Sequence, residues 1–156
     1  MNKIIMLIGA AASGKSTAAE KLALKYDAVI ISTDRMRAAL YGDESIQGNW
    51  LEIERLLYIR IGKLINFNKN IILDSTHYKK EYRAKIIKNF SNYSEISAYF
   101  FNYPFSVIYK RNKKRARRVP FDVLAAMYKE LKKAPPTIAE GFKSITNVCA
   151  GLKSVY

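Results

Sequence analysis

The sequence predicts an α/β fold, a three-layer sandwich in which helices cover both faces of a mostly parallel sheet of four to five strands. Short apolar runs alternate with helical segments along the chain, a pattern typical of parallel sheets with helical crossovers. The first run, residues 4–8, is apolar at every position, as expected for a central strand that is covered on both faces. We find no repeat, low-complexity linker or domain boundary, so residues 1–156 are expected to form one domain.

The first strand leads directly into a glycine-containing segment and then a helix, which is the context that a phosphate-binding P-loop requires. We call this segment the phosphate loop; it comprises Gly9, Ala10, Ala11, Ala12, Ser13, Gly14, Lys15, Ser16 and Thr17. Gly9 and Gly14 allow the backbone to curl so that successive N–H groups point at phosphate oxygens. Lys15 would supply a positive charge to the β- and γ-phosphates of ATP, and the Ser16 hydroxyl would ligate Mg²⁺. The alternative is a chance glycine-rich turn, which rarely places glycine, lysine and serine in this register.

The remaining elements follow the same alternation. Strands are predicted over residues 4–8, 28–32, 71–76, 95–101 and, as a last strand, 144–148. Helices are predicted from the phosphate loop to about Lys25, over about 50–66 with Asn49 as cap, over about 79–90, from Pro104 into the basic run 110–118, and after Val119-Pro120 until just before Pro135. Residues 36–48 indicate a broken helix and a loop, and the last eight residues indicate no element.

Composition and charge narrow the class of protein. The single cysteine, Cys149, cannot form an internal disulfide, and its apolar surroundings favour a small buried side chain. No apolar run approaches the length of a membrane span, and residues 1–3 do not resemble a signal peptide. We therefore expect a soluble cytoplasmic enzyme with no membrane partner.

The net charge of +14 is concentrated in one quarter of the chain. Residues 79–118 contain 12 Lys and Arg against 2 Asp and Glu, which gives +10. Residues 1–78 and 119–156 each carry only +2, from 10 basic against 8 acidic and 5 against 3. This distribution indicates a local field for a polyanion. For the lysines of helix 79–90, a solvated surface is an equally good interpretation.

Asp34 follows the second strand, at the position where ligand-contacting residues lie in open α/β sheets. Phosphoryl transfer to a hydroxyl needs a carboxylate that orients the acceptor and takes its proton, so Asp34 is the candidate general base. Arg37 would bind an anionic group of the acceptor through two hydrogen bonds. The alternative for Asp34 is a helix N-cap, which does not exclude catalysis.

Asp74 ends the third strand in the manner of a Walker B carboxylate, which would hold Mg²⁺ directly or through water. The alternative is a cap or turn residue. Thr76 is placed to bond an acceptor phosphate. His77, the only histidine, has no evident partner in the sequence and is interpreted as a loop residue rather than a ligand.

The basic run 110–118 is interpreted as a lid that extends to about residue 120. Arg111 and Arg115 are four residues apart and hence on one helical face. Two guanidinium groups over the phosphate loop would neutralise the charge that develops on the transferring phosphoryl group. The alternative is a solvated basic face.

The phosphate loop, the Thr-Asp-x-x-Arg segment at 33–37 and the basic lid together resemble the kinase domain of the phage-type polynucleotide 5′-hydroxyl kinases. Residues 110–115 read KRNKKR and residues 119–129 read VPFDVLAAMYK, which is very similar to the lid and the helix after it in the phage enzyme. Residues 135–142, PPTIAEGF, resemble the closing segment of the animal polynucleotide kinases and of many small bacterial P-loop kinases. The likeness covers nearly the whole chain, and its lid segment is far more specific than the P-loop.

This resemblance implies an adenylate-kinase-like P-loop NTPase fold with a helical basic lid, and a kinase that uses ATP and Mg²⁺. It implies that Lys15 and Ser16 bind the ATP phosphates and Mg²⁺ and that Asp34 is the general base. Arg37 and Thr76 would hold the 3′-phosphate of the acceptor, while the donor phosphates would be clamped by Arg111 and Arg115. The implied partner is the 5′ end of a polynucleotide, DNA or RNA, and the implied process is nucleic acid repair.

Two departures from the family pattern matter. The phage enzyme has a carboxylate immediately before its acceptor-binding threonine, whereas Ser75 occupies that position here and Asp74 lies one residue earlier. The chain also contains no Asp-x-Asp-x-Thr nucleophile, so we expect a kinase without 3′-phosphatase activity. Two alternatives remain: a small-molecule kinase similar to the zeta toxins or antibiotic phosphotransferases, and a nucleic-acid-stimulated ATPase or binding module.

Overall fold

The computed structural model describes residues 1–149, and within them the chain forms a five-stranded parallel sheet of order β2-β3-β1-β4-β5. The strands are β1 (Lys3–Ile8), β2 (Ala28–Ser32), β3 (Asn70–Asp74), β4 (Glu95–Phe101) and β5 (Ile145–Val148). The α-helices are α1 (Lys15–Tyr26), α2 (Thr33–Tyr41), α3 (Trp50–Asn66), α4 (Lys80–Phe90), α5 (Phe105–Lys113) and α6 (Phe121–Lys133), and a 3-10 helix spans Ile138–Glu140. The predicted α/β sandwich around a parallel sheet is confirmed. None of these helices combines the length and the apolar composition that a membrane span requires.

The two faces of β1 pack against different helices because side chains alternate along a strand. One set of its buried side chains, Ile4, Met6 and Ile8, belongs to a core shared with α3, α4, α5 and α6. The other set, Ile5 and Leu7, packs with α1. The sheet is therefore covered on both faces, which explains why this strand is apolar at every position.

The parallel arrangement brings the carboxyl ends of the strands to one edge of the sheet. The phosphate loop follows β1, Asp34 follows β2, Thr76 follows β3, and the basic lid belongs to the connection after β4. Since ligands of open α/β sheets bind beyond this edge, the topology places all the predicted site segments together.

Most predicted boundaries agree with the structure to within a few residues. Asn49 caps α3 as predicted, because its Oδ1 accepts the Leu51 N–H at 3.0 Å. The interpretation of residues 36–48 is wrong in part: α2 is a regular helix to Tyr41, and Gly42, with φ 78°, ends it. The third strand ends at Asp74, two residues earlier than predicted.

The end of the chain differs from the prediction in one side chain. Cys149, which follows the edge strand β5, is half-buried rather than buried. The last eight residues, for which the sequence indicates no element, lie outside the described residues from position 150 onward.

Arg83 on α4 is a fully buried cation that joins three segments of the chain. Its Nε donates to Glu140 Oε1 at 2.9 Å, and its Nη2 donates to the Ala134 carbonyl at 2.9 Å. Its Nη1 donates to the carbonyls of His77 and Tyr78 at 3.2 and 3.3 Å. The loop after β3 is therefore tied to the segment after α6.

Candidate active site

The phosphate loop joins β1 to α1 and contains two residues with a left-handed backbone. Gly14, with φ 94°, directly precedes the first residue of α1, and Ala12 has φ 62°. Gly9 is needed for a different reason, since a Cβ there would lie 2.7 Å from Ser13 Oγ and 2.9 Å from the Cβ of Phe101. The predicted curl therefore comes from positions 12 and 14, whereas Gly9 permits close packing against β4.

Lys15 is the first residue of α1, and its amine is buried at the floor of the loop. Nζ donates to the Ala10 carbonyl at 2.7 Å and to the Ser13 hydroxyl at 3.4 Å. Burial lowers the pKa of Lys15 to about 8; the carboxylate of Asp74 opposes this shift, and the positive charge of Arg115 adds to it. An anion bound between the two cations would relieve their repulsion and favour the charged amine.

Ser16 and Asp74 bring a hydroxyl and a carboxylate together beside Lys15. Ser16 Oγ donates to Asp74 Oδ2 at 2.9 Å. Burial raises the pKa of Asp74, while the hydrogen bond from Ser16 and the charge of Lys15 oppose the shift. Within residues 1–149, no group of three or more His, Cys, Asp or Glu is arranged to hold a metal ion. The pair nevertheless fits Mg²⁺, which is usually held by one or two protein oxygens together with substrate phosphates and water.

Asp34 lies in the first turn of α2, and its carboxylate contacts two arginines. Arg37 Nη1 donates to Oδ1 at 3.2 Å, and Arg117 Nη2 lies 3.7 Å from Oδ2. The alternative role of helix N-cap is wrong, because the cap is Ser32, whose hydroxyl accepts the Arg35 N–H at 3.3 Å. The Asp34 side chain is 43% exposed and lines the cleft, so its carboxylate is accessible to a ligand.

Arg37 keeps one donor without a partner. Its Nε is buried and makes no hydrogen bond to any side chain or backbone group within residues 1–149. Buried polar groups are nearly always paired, so this N–H beside the cleft is available to an acceptor atom of a ligand or of a bound water. An anionic group on the acceptor substrate, as predicted for Arg37, would supply such an atom.

The loop after β3 is held against the phosphate loop. The Gly9 N–H donates to the Thr76 carbonyl at 3.0 Å, and the Thr76 side chain lines the cleft. His77 is buried, has φ 46°, and its Nδ1 lies 2.6 Å from the Leu7 carbonyl oxygen. Since a carbonyl can only accept, the imidazole donates through Nδ1–H. His77 lies in a loop, as predicted, and its hydrogen-bond partner, which the sequence does not reveal, is 70 positions away.

The burial of His77 makes stability depend on pH. Burial lowers the pKa of His77 to about 4 from its ordinary value of 6.5, against the opposing effect of the Leu7 hydrogen bond. Between these two values the unfolded chain binds a proton that the folded chain excludes, so stability falls as the pH drops from 6.5 to 4. Below pH 4 the loss in the free energy of unfolding that His77 causes is complete, at about 3 kcal/mol. In urea unfolding at pH 7 and 4.5, the advantage of wild type over His77→Gln should shrink at the lower pH, and an unchanged difference would contradict this account.

The basic lid begins in α5 and continues as an irregular loop. Because α5 ends at Lys113, Arg111 is helical and Arg115 is not, so the prediction that they share one helical face is wrong. Asn112 accounts for the break: its Nδ2 donates to the Val119 carbonyl at 2.8 Å, and its Oδ1 accepts the Val119 N–H at 3.0 Å. This buried pairing closes the loop, and both arginines still line the cleft.

The arginines of the lid contact different parts of the site. Arg111 stacks over Tyr103, with Cζ 4.4 Å from the ring centroid, and its Nη1 donates to the Ser13 carbonyl at 3.4 Å. Arg117 pairs with Glu44 at 3.2 Å as well as with Asp34. Sequence reasoning assigned Arg117 no role, and nothing in the basic run distinguishes it from its neighbours.

These groups share a cleft of about 1040 Å³. Its lining includes Ala11, Ala12, Ser13, Gly14, Lys15, Ser16, Thr17, Asp34, Arg37, Asp74, Thr76, Arg111 and Arg115. Of the predicted site residues, Gly9 and Ala10 do not line it, and Ala10 instead supplies the carbonyl that binds the amine of Lys15. The cleft thus combines a phosphate-binding end with an accessible carboxylate.

Comparisons with known proteins agree with this architecture. The AAA domain family matches residues 4–134. A chain of the Pnkp1/Rnl/Hen1 RNA repair complex superposes with a TM-score of 0.77 at 23% identity over 85% of this chain. A putative kinase from Chloroflexus aurantiacus superposes at 0.74, with 17% identity over 95% of this chain and 85% of that one. The Mycobacterium tuberculosis APS kinase, solved with AMPPNP and APS, superposes at 0.63, with 17% identity over 97% and 90% of the two chains.

These likenesses establish the fold of the P-loop kinases. The match to the RNA repair complex spans only 44% of that chain, so this chain corresponds to less than half of its relative. No curated protein sequence matches significantly.

Proposed function

This chain belongs to the AAA domain family, and we propose that it is an ATP-dependent kinase that transfers the γ-phosphate to the 5′-hydroxyl of a polynucleotide, DNA or RNA. The kinase assignment depends on one observation, the accessible Asp34 carboxylate in the same cleft as the buried Lys15 amine. An ATPase would use such a carboxylate on water instead of on an acceptor hydroxyl, so the labelling assay separates transfer from hydrolysis.

Donor binding falls to the phosphate loop and the lid. Lys15 and the loop N–H groups bind the ATP phosphates, and Arg111 and Arg115 of the lid, which line the same cleft, add positive charge. Ser16 and Asp74 would hold Mg²⁺. When bound, that ion neutralises phosphate charge.

Acceptor activation falls to Asp34. Its carboxylate takes the proton of the 5′-hydroxyl while the hydroxyl oxygen forms a bond to the γ-phosphorus and the bond from that phosphorus to ADP breaks. Arg37, with its unpaired Nε, and the half-buried Thr76 hold the 3′-phosphate of the acceptor nucleotide. This role comes from the family resemblance and is supported by the chemistry of the unpaired donor.

The polynucleotide assignment is supported by charge and by the lid. The +10 segment contributes Arg111, Arg115, Arg117 and Arg118 to the wall of the cleft. Neutralising backbone phosphates is the main source of affinity for nucleic acids. The main rival is a kinase of a small-molecule acceptor, which the structural likeness to APS kinase favours.

One assay separates the candidates: the protein is incubated with γ-labelled ATP, Mg²⁺ and, separately, 5′-hydroxyl DNA, 5′-hydroxyl RNA, nucleosides or sugars. We expect label on oligonucleotide ends. Label on small acceptors alone would support the rival, and release of phosphate without any labelled acceptor would indicate an ATPase. An oligonucleotide with a 3′-phosphate should keep that phosphate, since no Asp-x-Asp-x-Thr sequence is present.

Replacement of Arg115 tests the lid. Arg115 lines the cleft together with the phosphate loop, so in the proposed mechanism Arg115→Ala removes a charge that stabilises the transition state and should lower kcat by at least about 100-fold. Lys113→Ala is the matched control, because Lys113 belongs to the same basic run but contacts Tyr109 and does not line the cleft. Steady-state kinetics would give kcat for the two variants. Equal losses of kcat would mean that Arg115 contributes only to the general positive charge of the lid.

A further inference from the structure

Aromatic side chains from α3 and α4, and from the loop before α4, form one wall of the cleft. Trp50 is the first residue of α3, and Tyr82 lies in the first turn of α4. Their ring centroids are 5.1 Å apart with an interplanar angle of 36°. Both are half-buried and line the cleft together with Tyr78, and we call these three residues the aromatic shelf. α4 follows β3 and so begins at the ligand-binding edge of the sheet, whereas α3 follows α2 and leads back to the start of β3.

The polar edge of the indole is already bound by the protein. Trp50 Nε1–H donates to Glu54 Oε2 at 3.1 Å, and Lys85 Nζ donates to both Glu54 oxygens at 3.3 Å. The Glu54 side chain is only 17% exposed, so this arrangement is partly shielded from water. With its N–H bound, the indole offers a ligand the surface of its ring, which favours stacking over hydrogen bonding.

The aromatic shelf and Asp34 line the same cleft, and the start of α3 is joined to α2. Tyr41, the last residue of α2, donates through its hydroxyl to Glu52 of α3 at 2.9 Å, and the same hydroxyl accepts the Asn49 N–H at 3.3 Å. Gly48 packs so closely on the Tyr41 ring that a Cβ there would collide with it. These contacts hold the start of α3 against α2, the helix that carries Asp34. A group stacked on the shelf therefore lies in the cleft that Asp34 also lines.

We infer that the aromatic shelf stacks against the nucleobase of the 5′-terminal acceptor nucleotide, an inference that deepens and rests on the proposed function. Lys79 supplies a cation at the rim, with Nζ 5.5 Å from the Tyr82 ring centroid and 5.9 Å from that of Tyr78. A ring surface beside a cation suits a planar base that is attached to a phosphate. A carbohydrate can also pack the C–H face of its ring on an aromatic side chain, so the test must compare acceptors that carry a base with acceptors that lack one.

The first test measures binding and needs no variant. Trp50 is the sole tryptophan of the chain, so its fluorescence reports on the aromatic shelf alone. Titration with a 5′-hydroxyl oligonucleotide should quench it, and an oligonucleotide whose 5′ residue is abasic should bind about 5- to 100-fold more weakly with less quenching. Equal binding and equal quenching by the two oligonucleotides would overturn the inference.

The second test uses kinetics. Trp50→Leu and Tyr82→Leu should each raise KM for the oligonucleotide by about 5-fold or more, with a smaller change in kcat and the same KM for ATP. Tyr93→Leu is the matched control, since Tyr93 follows the far end of α4 and is 64% exposed. Trp50→Phe should restore most of the affinity. If Trp50→Leu and Tyr82→Leu change KM no more than Tyr93→Leu does, the inference about the aromatic shelf is refuted.

The two proposals fail in different ways. One outcome is that no oligonucleotide is labelled, while nucleosides quench the fluorescence of Trp50 and sugars do not. This would support stacking on the aromatic shelf and contradict the polynucleotide assignment. If oligonucleotides with and without a 5′ base are labelled with the same KM, the kinase assignment is supported and stacking of the base on the aromatic shelf is contradicted.

Discussion

Asp34→Asn is expected to lower kcat by about 100- to 10,000-fold while KM for ATP stays within about twofold. Asparagine keeps the size of the side chain and one oxygen toward Arg37, but it cannot take the proton of the acceptor. We expect ATP binding to be spared because the phosphate loop, the proposed donor site, follows β1, whereas Asp34 follows β2. Steady-state kinetics with a saturating oligonucleotide would measure the loss.

The pairing of Asp34 with Arg117 requires a control, because the substitution also weakens an ion pair with the lid. Glu44→Gln removes the other carboxylate partner of Arg117, at 3.2 Å, and leaves Asp34 intact. We expect Glu44→Gln to change kcat by less than about threefold, since exposed ion pairs contribute little. A Glu44→Gln variant as impaired as Asp34→Asn would mean that closure of the lid, rather than proton transfer, explains the loss.

The phosphate loop and the sheet could be predicted from sequence because their signals are local. The apolar run before Gly9 and the helix after Lys15 are contiguous, and parallel topology follows from their alternation with later segments. That topology also predicts that Asp34 and Asp74 lie at one edge, which the structure confirms. The hydrogen bond between Ser16 and Asp74 is a direct consequence of that arrangement.

The rest of the site depends on partners that are distant in sequence or on loop geometry. The pairing of His77 with Leu7 spans 70 positions and has no local signature. Asn112 closes the lid loop on Val119 and ends α5 before Arg115, whereas spacing alone indicates a continuous helix. Periodicity describes regular helices and strands, so it fails where a side chain replaces the backbone as a hydrogen-bond partner.

For the basic segment 79–118, the sequence gives the total charge but not the surroundings of each residue. A count of +10 treats its residues alike, but the structure assigns them to different environments. Arg83 is buried with Glu140, Lys85 pairs with Glu54, and Arg115 acts on Lys15. The field available to a polyanion therefore comes from the lid and the rim of the cleft, and the lysines of α4 divide between structural pairs and solvent.

Arg83→Met is expected to lower the free energy of unfolding by about 3–5 kcal/mol, because removing one partner leaves a buried charge uncompensated. Glu140 would keep its carboxylate in a site where its side chain is only 4% exposed. The carbonyls of His77, Tyr78 and Ala134 would also lose their donor. Urea unfolding at pH 7 measures the change.

The double variant Arg83→Met with Glu140→Leu separates the ion pair from the carbonyl contacts. If the buried charge of Glu140 causes most of the loss, the double variant should regain part of the stability that Arg83→Met loses. Arg35→Met is the control: Arg35 and Glu20 are 3.0 Å apart, close to the 2.9 Å between Arg83 and Glu140, but their side chains are 67% and 63% exposed. That substitution should cost less than about 1 kcal/mol.

The effect of Arg83 should extend to the cleft, because the carbonyls that it holds directly follow Thr76. At a temperature where Arg83→Met remains folded, we expect KM for the acceptor to rise while KM for ATP changes little. Arg83→Lys keeps the charge but cannot reach four acceptors at once, so it should recover stability more than it recovers acceptor affinity. A variant with full acceptor affinity and reduced stability would show that Arg83 supports the fold without positioning the loop after β3.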